Sequence, residues 1–296
     1  MYPGAKERWL LDTNIIIDLI IGLVCYVTTK ELPNGNKLCD SIIIKFDNIQ
    51  NIIQDLTSKK KLLENKIRET IEGLASSFAE NDVELIITST TKEEAYNVIN
   101  KLKGYENRLN KKEGKWLWIF LPLDYLIDYT NVMKMIIESS KFIQVINVED
   151  KQDKAKRVIK EILHGKYDVQ DWHLVAALMS DDTLTAIYTE EDSVARGLRI
   201  IARSLGRRIN VGNFGKFLIN LRIIDILSPE QLYTISYYAY KFQRLLYSHQ
   251  MVYKVGLHQK TRSDELSVDA LGWVAYVQRR LQHYIPLNRI LKSFRS

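Results

Sequence analysis

Four separated stretches of the chain place an acidic side chain at or just inside the start of a helix. Asp12 follows Trp9-Leu10-Leu11 and precedes Thr13-Asn14 and the apolar Ile15–Ile21, which Asp18 interrupts. That order reads as a strand ending in a carboxylate and turning straight into a helix. Ligands bind at the carboxyl ends of strands in open α/β sheets. Glu94 stands six residues beyond Thr88, which closes the strand-like VELIIT, with Asn97 one turn further on. Asp171 opens a helix with Leu174, Val175, Ala177 and Leu178 on a face that can meet a sheet, and Glu191 and Asp192 follow the strand-like TLTAIYT. Two like charges about 4 Å apart repel by roughly 4 kcal/mol at an effective dielectric of 20. Acids gathered on one sheet edge therefore carry raised pKa values or surround a cation. Oxygen-only ligands favour Mg²⁺ or Mn²⁺ over Zn²⁺. One or two such ions activate a water and shield phosphodiester oxygens during in-line attack. Taken singly, Asp12 also fits a cap on an ordinary βα turn, and Glu93 or Glu94 a first-turn acid favoured by the helix dipole. If Asp171 and His173 share one helix, His173 faces away from Asp171, because positions i and i+2 lie on different faces.

The elements that must position these acids follow from periodicity. Thr28–Asn36 reads as a loop through Pro33 and Gly35. Ser41 to about Asn81 has apolar residues at alternating spacings of three and four, which predicts one long helix or two broken near Thr57-Ser58. Such a stripe needs a partner: the α/β body, another helix, or a second subunit in a homodimer. Strands are predicted over Val83–Thr88, Phe142–Val148, Thr183–Tyr188 and Ile209–Phe214, and helices over Lys92–Leu102, Glu149–Leu163 and from Asp171. Gly104–Lys115 is a basic loop, and Trp116–Ile137 is core material with a kink or boundary at Pro122. Ala195–Gly206 is a basic helix carrying Arg196, Arg199 and Arg203, followed by Arg207-Arg208. Ser228-Pro229 starts a helix to about Ser248, a second runs from Ser263-Asp264 to Gln282, and Asn288–Phe294 is a short basic tail helix.

A length of 296 residues suggests about two domains at roughly 150 residues each. The 46% apolar and 26% charged content is that of an ordinary soluble globular protein. The apolar run Ile15–Val27 contains Asp18 and falls short of the ~20 residues a span needs, so no membrane is expected. A secretory leader is disfavoured because Asp12, Asn14 and Asp18 would sit in its apolar segment. Two cysteines, Cys25 and Cys39, give neither a disulfide framework nor a finger spacing, which fits a reducing, cytoplasmic setting. Residues 193–296 carry a net +12 while residues 1–192 carry −6. An acidic part fused to a basic part suits a cation site beside a polyanion-binding surface.

The stretch Leu10–Leu19, LLDTNIIIDL, resembles the opening motif of PIN-domain ribonucleases, whose first strand typically ends in Leu-Leu-Asp-Thr-Asn. Asp171–Ala177, DWHLVAA, is similar to their helix start, written roughly Asp-x-x-Ile-Ala-Ala. Glu94 matches the inward-facing Glu that follows their second strand. The resemblance covers about Arg8–Ile21 and Val83–Asn213. It implies an α/β fold, a PIN-like three-layer α/β/α core with a central parallel sheet, a long helical insertion and a C-terminal helical extension. The core would comprise residues 1–30 and 83–220, the insertion 31–82, and the basic helical domain 221–296. It further implies a metal-dependent endoribonuclease that leaves a 5′-phosphate and a 3′-hydroxyl. Asp12, Glu94, Asp171 and Glu191 would be catalytic and, with Asp192, would hold Mg²⁺ or Mn²⁺. Asn14 and Thr189 would orient these carboxylates, and Asp168 would be a further ligand or a cap. Arg196, Arg199, Arg203, Arg207 and Arg208 would bind the RNA. The chain departs from the pattern where Glu191 stands two residues after Thr189 in place of an Asp, with Asp192 displaced by one. That departure admits an alternative, a catalytically inactive PIN-fold nucleic-acid-binding or assembly subunit. The basic C-terminal helices also admit a DNA-binding regulator.

Overall fold

The structure, a computed structural model, describes residues 6–33, 35–40, 43–45, 59–100, 116–118, 127–138, 142–165 and 171–255. Along the chain these form β1 (Glu7–Leu11), α1 (Thr13–Glu31), α2 (Gly35–Asp40), β2 (Ile43–Lys45), α3 (Lys60–Glu80), β3 (Val83–Thr88) and α4 (residues 89–100). Then come β4 (Trp116–Trp118), α5 (Tyr129–Glu138), β5 (Ile143–Ile146), and a 3₁₀ turn (Glu149–Lys151) running into α6 (Gln152–Leu163). The last elements are α7 (Trp172–Ser180), β6 (Leu184–Tyr188), α8 (Asp192–Ser204), β7 (Asn210–Gly212), α9 (Phe214–Ile223) and α10 (Pro229–Val255). Two compact units emerge, one of residues 1–17, 71–97 and 133–220, the other of 18–70, 98–132 and 221–296.

The first unit is built on a five-stranded parallel sheet in the order β5-β3-β1-β6-β7. Its central strands are nearly continuous apolar runs, Trp9-Leu10-Leu11 and Leu85-Ile86-Ile87, all buried, as expected when both faces are covered. Side chains alternate between faces along a strand. Leu10, Ile86 and Ile187 pack with Leu174, Val175 and Leu178 of α7 and Leu198 and Ile201 of α8. Trp9 and Tyr188 instead meet Phe217 of α9, with edge-to-face ring centroids 5.2–6.2 Å apart. The chain steps outward from β1 to β3 to β5, then returns past β1 to lay down β6 and β7. The strand order therefore reverses between β1 and β6, and such a reversal opens a crevice at the carboxyl ends of the two strands.

The second unit contains the greater part of α1, the antiparallel pair β2–β4, and α10. A Cβ added at Gly22 of α1 would lie 2.6 Å from Ile235 Cγ2 and 3.0 Å from Ile235 O, so α1 and α10 approach too closely there for any side chain. Asp18, buried within the apolar α1, accepts a hydrogen bond at Oδ2 from Gln243 Nε2 of α10. At the start of α10, Ser228 Oγ accepts from Gln231 N at 3.1 Å and Gln231 Oε1 accepts from Ser228 N at 2.8 Å, a reciprocal capping box.

Several expectations need correction. The helix after Asp12 runs to Glu31, so the expected loop begins only at Leu32, and its last two residues, Gly35 and Asn36, open the helix Gly35–Asp40. With 19 residues, α1 is long and apolar enough to cross a membrane by length and composition, and 83% of its apolar window is buried inside the protein. The amphipathic helix begins at Lys60 rather than Ser41, and Ile43–Lys45 is a strand paired with Trp116–Trp118. Three consecutive β-branched residues, Ile42-Ile43-Ile44, favour extended backbone over helix. From Lys60 onward the apolar spacing holds: Leu63, Ile67, Ile71, Leu74 and Phe78 are buried. The Thr57-Ser58 break, the Gly104–Lys115 loop, Pro122, Asp168 and the two helices expected after residue 262 lie outside the described residues.

Candidate functional site

Asp12 and Thr189 extend β1 and β6 by one residue at the reversal point. Asp12 N donates to Tyr188 O at 3.0 Å, continuing the ladder to its last rung. Thr189 Oγ1 then donates to Asp12 Oδ2 at 2.7 Å, and Thr13 N donates to Asp12 Oδ1 at 2.7 Å. Each carboxylate oxygen thus has one donor. The group is only 3% exposed. Loss of water outweighs the two hydrogen bonds, and the carboxyl pKa is raised from 3.8 to about 6. Burial is the largest cause. The Thr189 hydroxyl pulls the value down, the charge of Asp171 pushes it up, and the Thr13 amide and His173 pull it down.

Asp171 stands at the N-cap of α7 with φ −79° and ψ 61°, and its side chain makes no capping hydrogen bond. Its carboxylate is therefore not committed to the helix it opens. Asp171 Oδ1 lies 3.8 Å from His173 Nε2. The condition under which the two side chains would diverge, a shared helix, is not met: Asp171 precedes α7, so helical angular spacing does not apply to it. His173 is 1% exposed, and its Nδ1 is 3.0 Å from Thr88 Oγ1, the residue that ends β3. Thr91 N donates to the same hydroxyl at 3.0 Å. His173 Nε2 is buried without a hydrogen-bond partner in the structure.

Glu94, half-buried on α4, accepts from Thr13 Oγ1 at 2.6 Å. Thr13 therefore ties Glu94 through its hydroxyl and Asp12 through its amide, joining α4 to the end of β1. Glu93 and Asn14 are exposed. Glu191 occupies the N-cap of α8 with φ −84° and ψ 110°, and its N donates to Thr189 Oγ1 at 3.3 Å. Both Glu191 and Asp192 are exposed. The adjacent Glu190 turns elsewhere, accepting Phe214 N at 2.6 Å and capping α9. Asp12, Asp171 and His173 thus influence one another electrostatically, Glu94 is one residue removed, and Glu191 and Asp192 sit at the surface start of α8. Among the described residues, no three His, Cys, Asp or Glu side chains form a group that could hold a metal ion.

Reasoning from residue types missed three contributors: Thr13, Thr88 and His173. The clue to His173 was available, since it is the one ionisable residue in the otherwise apolar run Trp172–Leu178. Of the arginines, Arg196, Arg199, Arg203 and Arg208 are exposed and Arg207 is half-buried. Arg199 Nη2 donates to Val211 O at 2.9 Å, and Arg207 donates to Leu178 O and Leu184 O.

Compared with known proteins, the chain matches no family model, no curated protein and no solved structure. The likeness to PIN-domain ribonucleases therefore rests on the residues of the chain itself.

Proposed function

We propose that the chain is a metal-dependent endoribonuclease with a PIN-like three-layer α/β/α core. The observation that carries this reading is Asp12, buried at the strand-order reversal, fixed through both oxygens and within reach of the charge on Asp171. A pair of carboxylates with no all-protein cage fits Mg²⁺, which keeps several waters and is commonly held by one or two carboxylates plus substrate phosphates; Mn²⁺ suits the same oxygen donors. Asp12 and Asp171 are the residues to hold it, with Glu94 brought alongside through Thr13. When bound there, such an ion would supply a more acidic water and charge neutralisation for the phosphodiester oxygens. The Thr189 hydroxyl and the Thr13 amide fix the orientation of the Asp12 carboxylate. Thr88 holds the His173 ring beside Asp171. Exposed Arg196 on α8 provides sequence-independent attraction for the RNA backbone. In the experiment, the full chain is incubated with labelled single-stranded RNA and Mn²⁺. Cleavage is expected, and Asp12→Asn is expected to abolish it with the circular dichroism spectrum unchanged.

A second reading, an inactive nucleic-acid-binding or assembly subunit on the same fold, is favoured by one observation: the two closing acids, Glu191 and Asp192, are solvent-exposed rather than turned into a buried site. RNA binding without cleavage in Mg²⁺ or Mn²⁺ would support it.

A further inference from the structure

Beside β7 lies a cavity of about 530 Å³ lined by five cationic side chains, Arg199, Arg203, Arg207, Arg208 and Lys216, with no carboxylate among its walls. Three of the cations are held in place by neutral acceptors. Arg199 donates to Val211 O, Arg207 to the carbonyls of Leu178 and Leu184, and Lys216 Nζ to Asn210 Oδ1. Those bonds fix positions without cancelling charge. Arg203 and Arg208 are exposed and have no hydrogen-bond or ion-pair partner among the described residues. The concavity therefore combines three cations tethered by neutral acceptors with two free guanidinium forks. Lys216 feels the crowding: burial, then the charge of Arg199, lowers its pKa from the usual lysine range. A multiply charged anion would relieve that repulsion.

Size and place narrow the ligand. The five cations converge on one concavity of this volume, which suits the dense charge of a phosphate chain. Guanidinium groups pair two N–H donors with two oxygens of a phosphate, which a point charge cannot do. Asn210 opens β7, which lies beyond β6 from β1, a lateral separation of about 10 Å at ordinary strand spacing. An anion held there does not occupy the crevice at Asp12. We infer that this cavity binds a phosphate chain, the di- or triphosphate of a nucleotide or of a nucleic-acid 5′ end. The inference does not rest on the nuclease reading, because nothing in it involves Asp12 or a metal.

The test is calorimetric titration of the full chain, without divalent metal, using four probes: inorganic tripolyphosphate, a nucleoside triphosphate, and one short RNA bearing either a 5′-triphosphate or a 5′-hydroxyl. Tripolyphosphate is expected to bind, and Arg203→Ala/Arg208→Ala to weaken it at least roughly tenfold. The thermal midpoint should hold, since both side chains are exposed and unbonded. The Arg203→Lys/Arg208→Lys variant, which keeps charge and loses the forks, should fall between. Tighter binding of the nucleoside triphosphate than of the inorganic chain supports a free nucleotide; preference for the 5′-triphosphorylated RNA supports an RNA end. The inference is overturned if tripolyphosphate fails to bind, if it binds the alanine variant equally well, or if the 5′-hydroxyl RNA binds as tightly as its triphosphorylated twin. Asp12→Asn should leave the tripolyphosphate affinity unchanged, so a failed nuclease assay and a failed titration are told apart.

Discussion

Burial of the Asp12 carboxylate sets a definite pH dependence. Its pKa in the folded chain is about 6 against 3.8. Between those values the folded state keeps a proton that the unfolded chain releases. Stability from this group is therefore fully present below about pH 4 and lost as pH rises through about 6, by roughly 3 kcal/mol. Asp12→Asn has the same shape and never ionises. Without divalent metal it is expected to melt higher than the parent chain at pH 7.5 and close to it at pH 4, by differential scanning calorimetry. Two neighbours act with opposite sign. Thr189→Val removes a donor that stabilises the anion and should raise the Asp12 pKa further; Asp171→Asn removes a repelling charge and should lower it. Carbon NMR titration of the Asp12 carboxyl reads both, and shifts of the same sign would contradict the geometry. A divalent cation competes with that proton, so its affinity should correspondingly rise with pH through about 6.

Elements owe their ends to a few local contacts. Ser228→Ala removes one half of the capping box at α10 and should destabilise by about 1 kcal/mol. Gly22→Ala puts a methyl group into Ile235 and should destabilise by about 1–3 kcal/mol through overpacking. Chemical denaturation of the two variants measures both. The parallel strands were legible because runs such as Val83–Thr88 and Leu184–Tyr188 are short, apolar and bounded by polar turn residues. The end of α6 was legible because glycine readily takes the left-handed backbone that stops a helix, and Gly165 has φ 73° beside His164 at 47°. The reach of α1 was not, since Val27–Glu31 is helical only by continuation, and nothing in the residue types marks the close fit against α10. Of the site, the acids at strand ends were legible as positions. The Asp171–His173 proximity was not, because it depends on Asp171 standing outside the helix it starts. The arginine run read as one row of phosphate contacts, yet Arg199 and Arg207 reach backbone carbonyls.

At the scale of the whole chain, charge is divided: the acidic residues proposed for chemistry fall before position 193, and a net +12 follows it. RNA binding is therefore expected to weaken steeply with salt, as counterions released from phosphates govern affinity. A filter-binding series from 50 to 200 mM salt should show it, and a flat response would remove the basic region from the binding surface. The central claim is that Asp12 anchors a metal-dependent centre for RNA cleavage. Its most direct measurement is the rate of Mn²⁺-dependent cleavage of one single-stranded RNA by the full chain beside its Asp12→Asn variant. The account predicts cleavage to 5′-phosphate ends by the parent chain. It predicts a loss of more than roughly a hundredfold in the variant, beyond what a merely orienting group supports, with the fold retained. No cleavage by the parent chain in either Mn²⁺ or Mg²⁺, or equal rates for the two proteins, would contradict it.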